Sequence, residues 1–141
     1  MFDLRHLPIF GNEEEAADQF ATYFLLWLGK DQARRLVYGA AYYFRKHLQQ
    51  PSVTLRLEAF SDAHSKAPQR FFNLLCMSYG ANPAVFAEVV SKEYLPKNRS
   101  VSCQREYRRV AGAFQRLIQP HIDESIAKEV LDEAWLSLAP K

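Results

Sequence analysis

The chain has 141 residues, 48% of them hydrophobic and 24% charged, with a formal net charge of +2. That length suits one domain with a modest core, and so small a charge gives no footing on nucleic acid or an acidic membrane surface. No apolar run approaches the roughly 18 residues of a membrane span, and residues 1–10 lack the basic stretch and apolar run of a signal peptide, so an intracellular protein is the expectation from these features alone.

The first predicted helix opens at Gly11-Asn12, where Asn12 can cap and Glu13, Glu14 and Glu15 sit on the positive end of the helix dipole. Ala17, Phe20, Ala21, Phe24, Leu25 and Leu28 then recur at helical spacing, and Gly29 is a natural stop. A second helix is predicted over 31–48, with Ala33, Leu36, Val37, Ala40, Ala41 and Phe44 as its apolar stripe and Pro51 beyond its end. In residues 52–60, Val53, Leu55 and Leu57 alternate with polar residues, a strand period. A lone short strand has nothing to pair with, so an extended loop is the better reading.

Pro68 opens a third helix that runs to Tyr79 and is closed by Gly80. Asn82-Pro83 reads as a cap followed by a proline in the first turn, beginning a fourth helix that ends near Tyr94. A loop over 96–100 leads to a fifth helix over 102–118, with Tyr107, Val110, Ala111, Phe114 and Leu117 facing inward. After Pro120 a sixth is predicted over 123–138. Six helices with short connections make an all-α single domain.

Chemistry concentrates at the first helix. Glu14 and Asp18 lie four apart, on one face, with the small Ala16 and Ala17 between them. By spacing alone, a solvated and dipole-compensating first turn is the better reading than a metal site. Cys76 and Cys103 form no CxxC pair, and the residues leave open two buried thiols or one disulfide. His6 lies in an apolar run and reads as structural; His47 sits in a basic helix end; His121 follows Pro120 and has no visible partner. Arg105, Arg108, Arg109 and Arg116 form a basic helix face, read as solvated with Glu106 nearby.

The run Glu14-Glu15-Ala16-Ala17-Asp18 resembles the E-x-x-A-D signature of the glutamate zincins. The wider segment from Leu7 through Gln19 resembles a bacterial metallopeptidase family of that kind. So do Phe60-Ser61-Asp62-Ala63-His64-Ser65, then Gln69 through Cys76, then Tyr94-Leu95-Pro96-Lys97-Asn98-Arg99 with Cys103 and Glu106-Tyr107. These blocks stand in family order over nearly the whole chain. The resemblance implies a hydrolase that cleaves peptides or proteins with a zinc ion and an activated water. It makes Glu14 a metal ligand and Asp18 the acceptor that orients a zinc-bound histidine. His64 or Arg70 would stabilise the oxyanion. It also implies a secreted or periplasmic setting, hence a Cys76–Cys103 disulfide.

One departure matters. The family carries HExxH shortly before the Leu-Pro segment, and none of His6, His47, His64 and His121 begins that motif here. The expectation is therefore the C-terminal helical part of a zincin-like protein, truncated before its HExxH helix or else a degenerate homologue without it, inactive alone and binding no zinc tightly. A non-catalytic helical interaction module is the alternative. If a missing helix normally covers Phe20, Phe24 and Trp27, this chain should also self-associate through that face.

Overall fold

The computed structural model of the chain describes residues 12–48 and 67–130. Helix α1 spans Glu13–Trp27, with three glutamates in its first turn. Asn12 takes the extended N-cap conformation and its carbonyl accepts from Ala16 N–H at 3.2 Å, but its side chain makes no capping bond to the helix. Gly29 stops the helix as predicted. It sits at φ 90°, a conformation that side chains disfavour, and its carbonyl accepts the first bond of α2 from Ala33.

Helix α2 spans Lys30–Leu48. Its buried edge is Ala33 and Val37, with Tyr38 and Ala41 packed beside them, whereas Leu36 points outward and is 41% exposed. The predicted stripe is therefore too wide. The 52–60 segment lies outside the described residues.

Helix α3, Ala67–Ala81, is the centre of the bundle, packed against α1, α2 and α6. Phe71, Leu74, Leu75, Cys76, Met77, Ser78 and Ala81 are all buried. A helix apolar on most sides has to lie between others. Gly80 does not end it. The helix continues through Gly80, where a Cβ would meet the Cys103 carbonyl carbon at 2.7 Å and Tyr107 Cβ at 2.9 Å. The glycine serves the approach of two helices and not a stop.

The predicted fourth helix is also corrected. Asn82 does cap, its Oδ1 accepting from Ala84 and Val85 N–H at 3.1 Å each. The chain then makes turns before a single short helix α4, Ala87–Ser91, ended by Glu93 at φ 58°. A continuous helix loses here to the demand that Phe86, Val89 and Leu95 all reach the core, where each is fully buried. The loop predicted at 96–100 contains one helical turn, α5, Lys97–Ser100.

Helix α6, Cys103–Leu117, lies along α3 and buries Cys103, Tyr107, Ala111 and Phe114. Val110 is half-buried and Leu117 is 43% exposed, while Ile118 just past the end is buried. Arg105, Arg108 and Arg109 are exposed as expected, and so is Arg116. A 3-10 turn at Gln119–His121 leads to α7, Glu124–Val130, the described part of the predicted sixth helix.

Cys76 and Cys103 are joined by a disulfide, both cysteines fully buried, that ties α3 to the start of α6. The face of α1 expected to lie open is occupied in part, and Phe20 and Phe24 stay half-buried. Trp27 and Tyr23 are buried, and Phe20 and Tyr23 pack on the Phe114 ring of α6 at 5.5 and 5.3 Å.

Candidate functional site

The first turns of α1 place Glu14 and Asp18 together, and α3 brings Arg70 across to them. Arg70 Nε donates to Asp18 Oδ2 at 2.6 Å and Nη2 donates to Oδ1 at 2.8 Å. The remaining terminal nitrogen, Nη1, lies 3.8 Å from Glu14 Oε2. Two parallel N–H···O bonds are the geometry in which a guanidinium holds a carboxylate best. The side chains of Asp18 and Arg70 are 27% and 30% exposed, so the pair is sheltered but still touches water. The Asp18 carboxylate raises the pKa of Arg70 further above its already high value, first through the hydrogen bond and then through charge. Arg70 therefore acts as a permanent cation.

The pairing leaves room for further bonds at Asp18, because an ionised carboxylate has about four lone-pair positions and the guanidinium uses two. Arg70 holds Glu14 more loosely. At 3.8 Å their contact is an ion pair and not a hydrogen bond.

Beside this cluster, α1, α3 and α6 line a cleft of about 290 Å³ with a mixed wall, Met77 and Val110 standing among polar side chains. Its walls include Glu15, Gln19, Gln69, Asn73, Glu106 and Arg109. Gln69 and Asn73 also line a wider hollow of about 470 Å³ that runs on to Asn98 and Arg99. These amide side chains fall in the blocks that carry the family resemblance, but the sequence gives none of them a role. Their signal was there in the spacing, since Gln69 and Asn73 are one turn apart on the helix that carries Arg70.

A second charged cluster borders the cleft. Glu106 accepts from Arg99 Nη1 and Nη2 at 2.7 Å each and from Ser102 Oγ at 2.6 Å. Its Oε2 also lies 3.5 Å from Cys76 Sγ, against the disulfide. The Arg99 hydrogen bonds, and the Ser102 bond after them, hold the Glu106 carboxyl below its usual pKa against the opposing effect of burial. The partner expected from the sequence was the arginine face of α6 itself; the one observed is Arg99 of α5.

His64 and His6 lie outside the described residues, as does the side chain of His47, and His121 is exposed on the 3-10 turn. Among the described residues no group of three or more His, Cys, Asp or Glu side chains is arranged to hold a metal ion. Glu14 and Asp18 stand together there, but by themselves they do not make a whole metal site. No described helix is long and apolar enough to cross a membrane.

No curated protein and no solved structure matches the chain significantly. The sequence model of a family described as "Putative metallopeptidase" matches residues 1–118, well over half of the 141, and the chain belongs to that family.

Proposed function

We propose that this chain supplies one zinc ligand, Glu14, and the carboxylate behind it, Asp18, to a peptidase site whose two histidines belong to an HExxH helix that the 141 residues do not contain. The observation that supports this most directly is the Arg70 clamp. It fixes Asp18 in one orientation one turn from Glu14 while leaving lone pairs for an imidazole N–H. A clamped acceptor is what a metal-bound histidine needs to keep its tautomer. Zinc, when bound, would supply the Lewis acid that activates water.

On this reading the cleft beside Glu14 receives the peptide. Side-chain amides both donate and accept, so Gln19, Gln69 and Asn73 suit the alternating N–H and C=O of an extended backbone. Arg70, held by Asp18, orders the site, and His64 remains the proposed oxyanion donor. The described residues hold no complete ligand set, and the chain is proposed to be inactive by itself. The half-buried Phe20 and Phe24 would be where the HExxH helix packs, or a second copy of the chain in its absence.

A non-catalytic helical module is the second reading, and the same cluster favours it in one respect. Glu14, Asp18 and Arg70 already balance much of one another's charge without a metal.

Calorimetric zinc titration separates the two. The 141-residue chain should bind zinc weakly, and a chain extended through an HExxH helix should bind one zinc tightly. Glu14→Ala in the extended chain should remove that binding. Weak zinc binding by both chains, or tight binding indifferent to Glu14→Ala, would sink the peptidase reading.

A further inference from the structure

A separate cavity of about 210 Å³ opens between α2, the first turns of α3 and the turn beyond α4. Among the described residues it is lined by Tyr38, Ala41, Tyr42, Arg45, Phe71 and Tyr94 and shares no side chain with the Glu14–Asp18–Arg70 cluster. Its size is adequate for a guest, since an apolar cavity of about 150 Å³ accommodates benzene. Most of the wall is aromatic. Tyr42, which is 70% exposed, forms part of the rim.

Two polar groups break that wall. Arg45 places its guanidinium 5.0 Å from the centre of the Tyr94 ring, so a cation is already seated on one aromatic face. The Tyr38 hydroxyl is buried and has no hydrogen-bond partner among the described residues. Buried hydroxyls without partners are costly and uncommon, and an acceptor brought in by a ligand would relieve this one.

The sign of the charge decides the kind of guest. A box of tyrosines alone would suit a quaternary ammonium, but Arg45 repels cations from this one. The charged groups that act on Tyr38 are Glu88, Arg34 and Lys92, and Glu88 is already paired with Lys92 at 2.7 Å. The balance around the cavity among the described residues is thus positive. Burial first, and Glu88 after it, raise the Tyr38 pKa, so the phenol stays protonated and can donate.

We propose that this cavity binds a small apolar monocarboxylate, its body among Tyr38, Tyr42, Phe71 and Tyr94 and its carboxylate accepting from the Arg45 guanidinium and the Tyr38 hydroxyl. The site is independent of the metal reading and does not use Glu14.

The test is calorimetric titration of the 141-residue protein with phenylacetate, 2-phenylethanol and phenethylamine. These three share a ring and differ in charge. Phenylacetate should bind one-to-one and at least about tenfold more tightly than the alcohol, as a charge-assisted hydrogen bond implies, and the amine should not saturate. Arg45→Gln, at an exposed helix position, should bring phenylacetate to the level of the alcohol. Tyr38→Phe keeps the ring and should weaken phenylacetate by about fivefold. Equal affinity for acid and amine, phenylacetate binding unchanged by Arg45→Gln, or no saturable phenylacetate binding would each overturn the proposal.

Discussion

Gly80 and Cys103 meet with no space for a side chain between them: a Cβ on Gly80 would lie 2.7 Å from the Cys103 carbonyl carbon. The obstacle is backbone, which cannot swing aside as a side chain can. Gly80→Ala should therefore push α6 away from α3 and destabilise the fold by about 2–3 kcal/mol, despite alanine's better helix propensity. Gly39, midway along α2, is the internal control, because no described atom lies within 4 Å of its added Cβ. Gly39→Ala should stabilise by about 1 kcal/mol through propensity and reduced freedom of the unfolded chain. Urea unfolding of the two variants checks both signs, and equal effects would refute the close-approach account.

The same helix pair is joined covalently by Cys76–Cys103, a link across 27 residues of sequence. Closing a loop of that length removes unfolded-chain entropy worth about 3–4 kcal/mol in the chain-entropy model. Replacing both cysteines by alanine should cost that much and shift the urea midpoint accordingly. Because both cysteines are fully buried, a water-soluble reductant should act on the folded protein only as fast as the α3–α6 pair opens. Prompt reduction under native conditions would show that the pair opens far more easily than its packing suggests.

The contrast between Gly29 and Gly80 shows what local reading captures. Gly29 stops a helix because of its own φ, a property of the residue, and the sequence announces it. Gly80 has the same local signature, yet its reason is Cys103, far along the chain and on another helix. Asn82-Pro83 caps as its chemistry requires, but the turns after it are set by the burial of Phe86 and Val89. The spacing of Glu14 and Asp18 was legible because it is a helix repeat. The Arg70 clamp on Asp18 was not, since it joins residues 52 apart. The cysteine pairing was open from the residues, and the family resemblance pointed the right way. The tyrosine-lined cavity gave no advance sign, because its walls come from three separate segments.

The Asp18–Arg70 pair should matter to stability more than Glu14 does. Asp18→Asn replaces a bidentate charged pair with, at best, one neutral bond, and a sheltered pair of this kind is worth about 1–2 kcal/mol after allowance for its contact with water. The contact of Glu14 with Arg70, at 3.8 Å, should contribute less than about 0.5 kcal/mol to the cost of Glu14→Gln. Thermal or urea unfolding of the two variants gives the ordering. If Glu14→Gln proves the more damaging, the carboxylate proposed as a metal ligand is instead a structural anchor, and its role as a ligand fails.

Glu106 ties the stability of the domain to pH. Its carboxyl is held below the usual range by Arg99 and then Ser102, so the folded state binds its proton less readily than the unfolded state does. The stabilisation is therefore present above the unfolded carboxylate range, about pH 4, and is lost as pH falls through the lower folded value. Asp123 works in the same direction, its carboxyl lowered by bonds from the Ser125 hydroxyl and the Ser125 and Ile126 N–H groups. The domain should lose stability steeply on acidification below about pH 4. Glu106→Gln should be less stable than the parent at pH 7 and should show a shallower decline in acid, because one of the linked protons is gone. Urea midpoints at pH 7, 4 and 3 for parent and variant distinguish this from general charge repulsion, which would leave the two curves parallel.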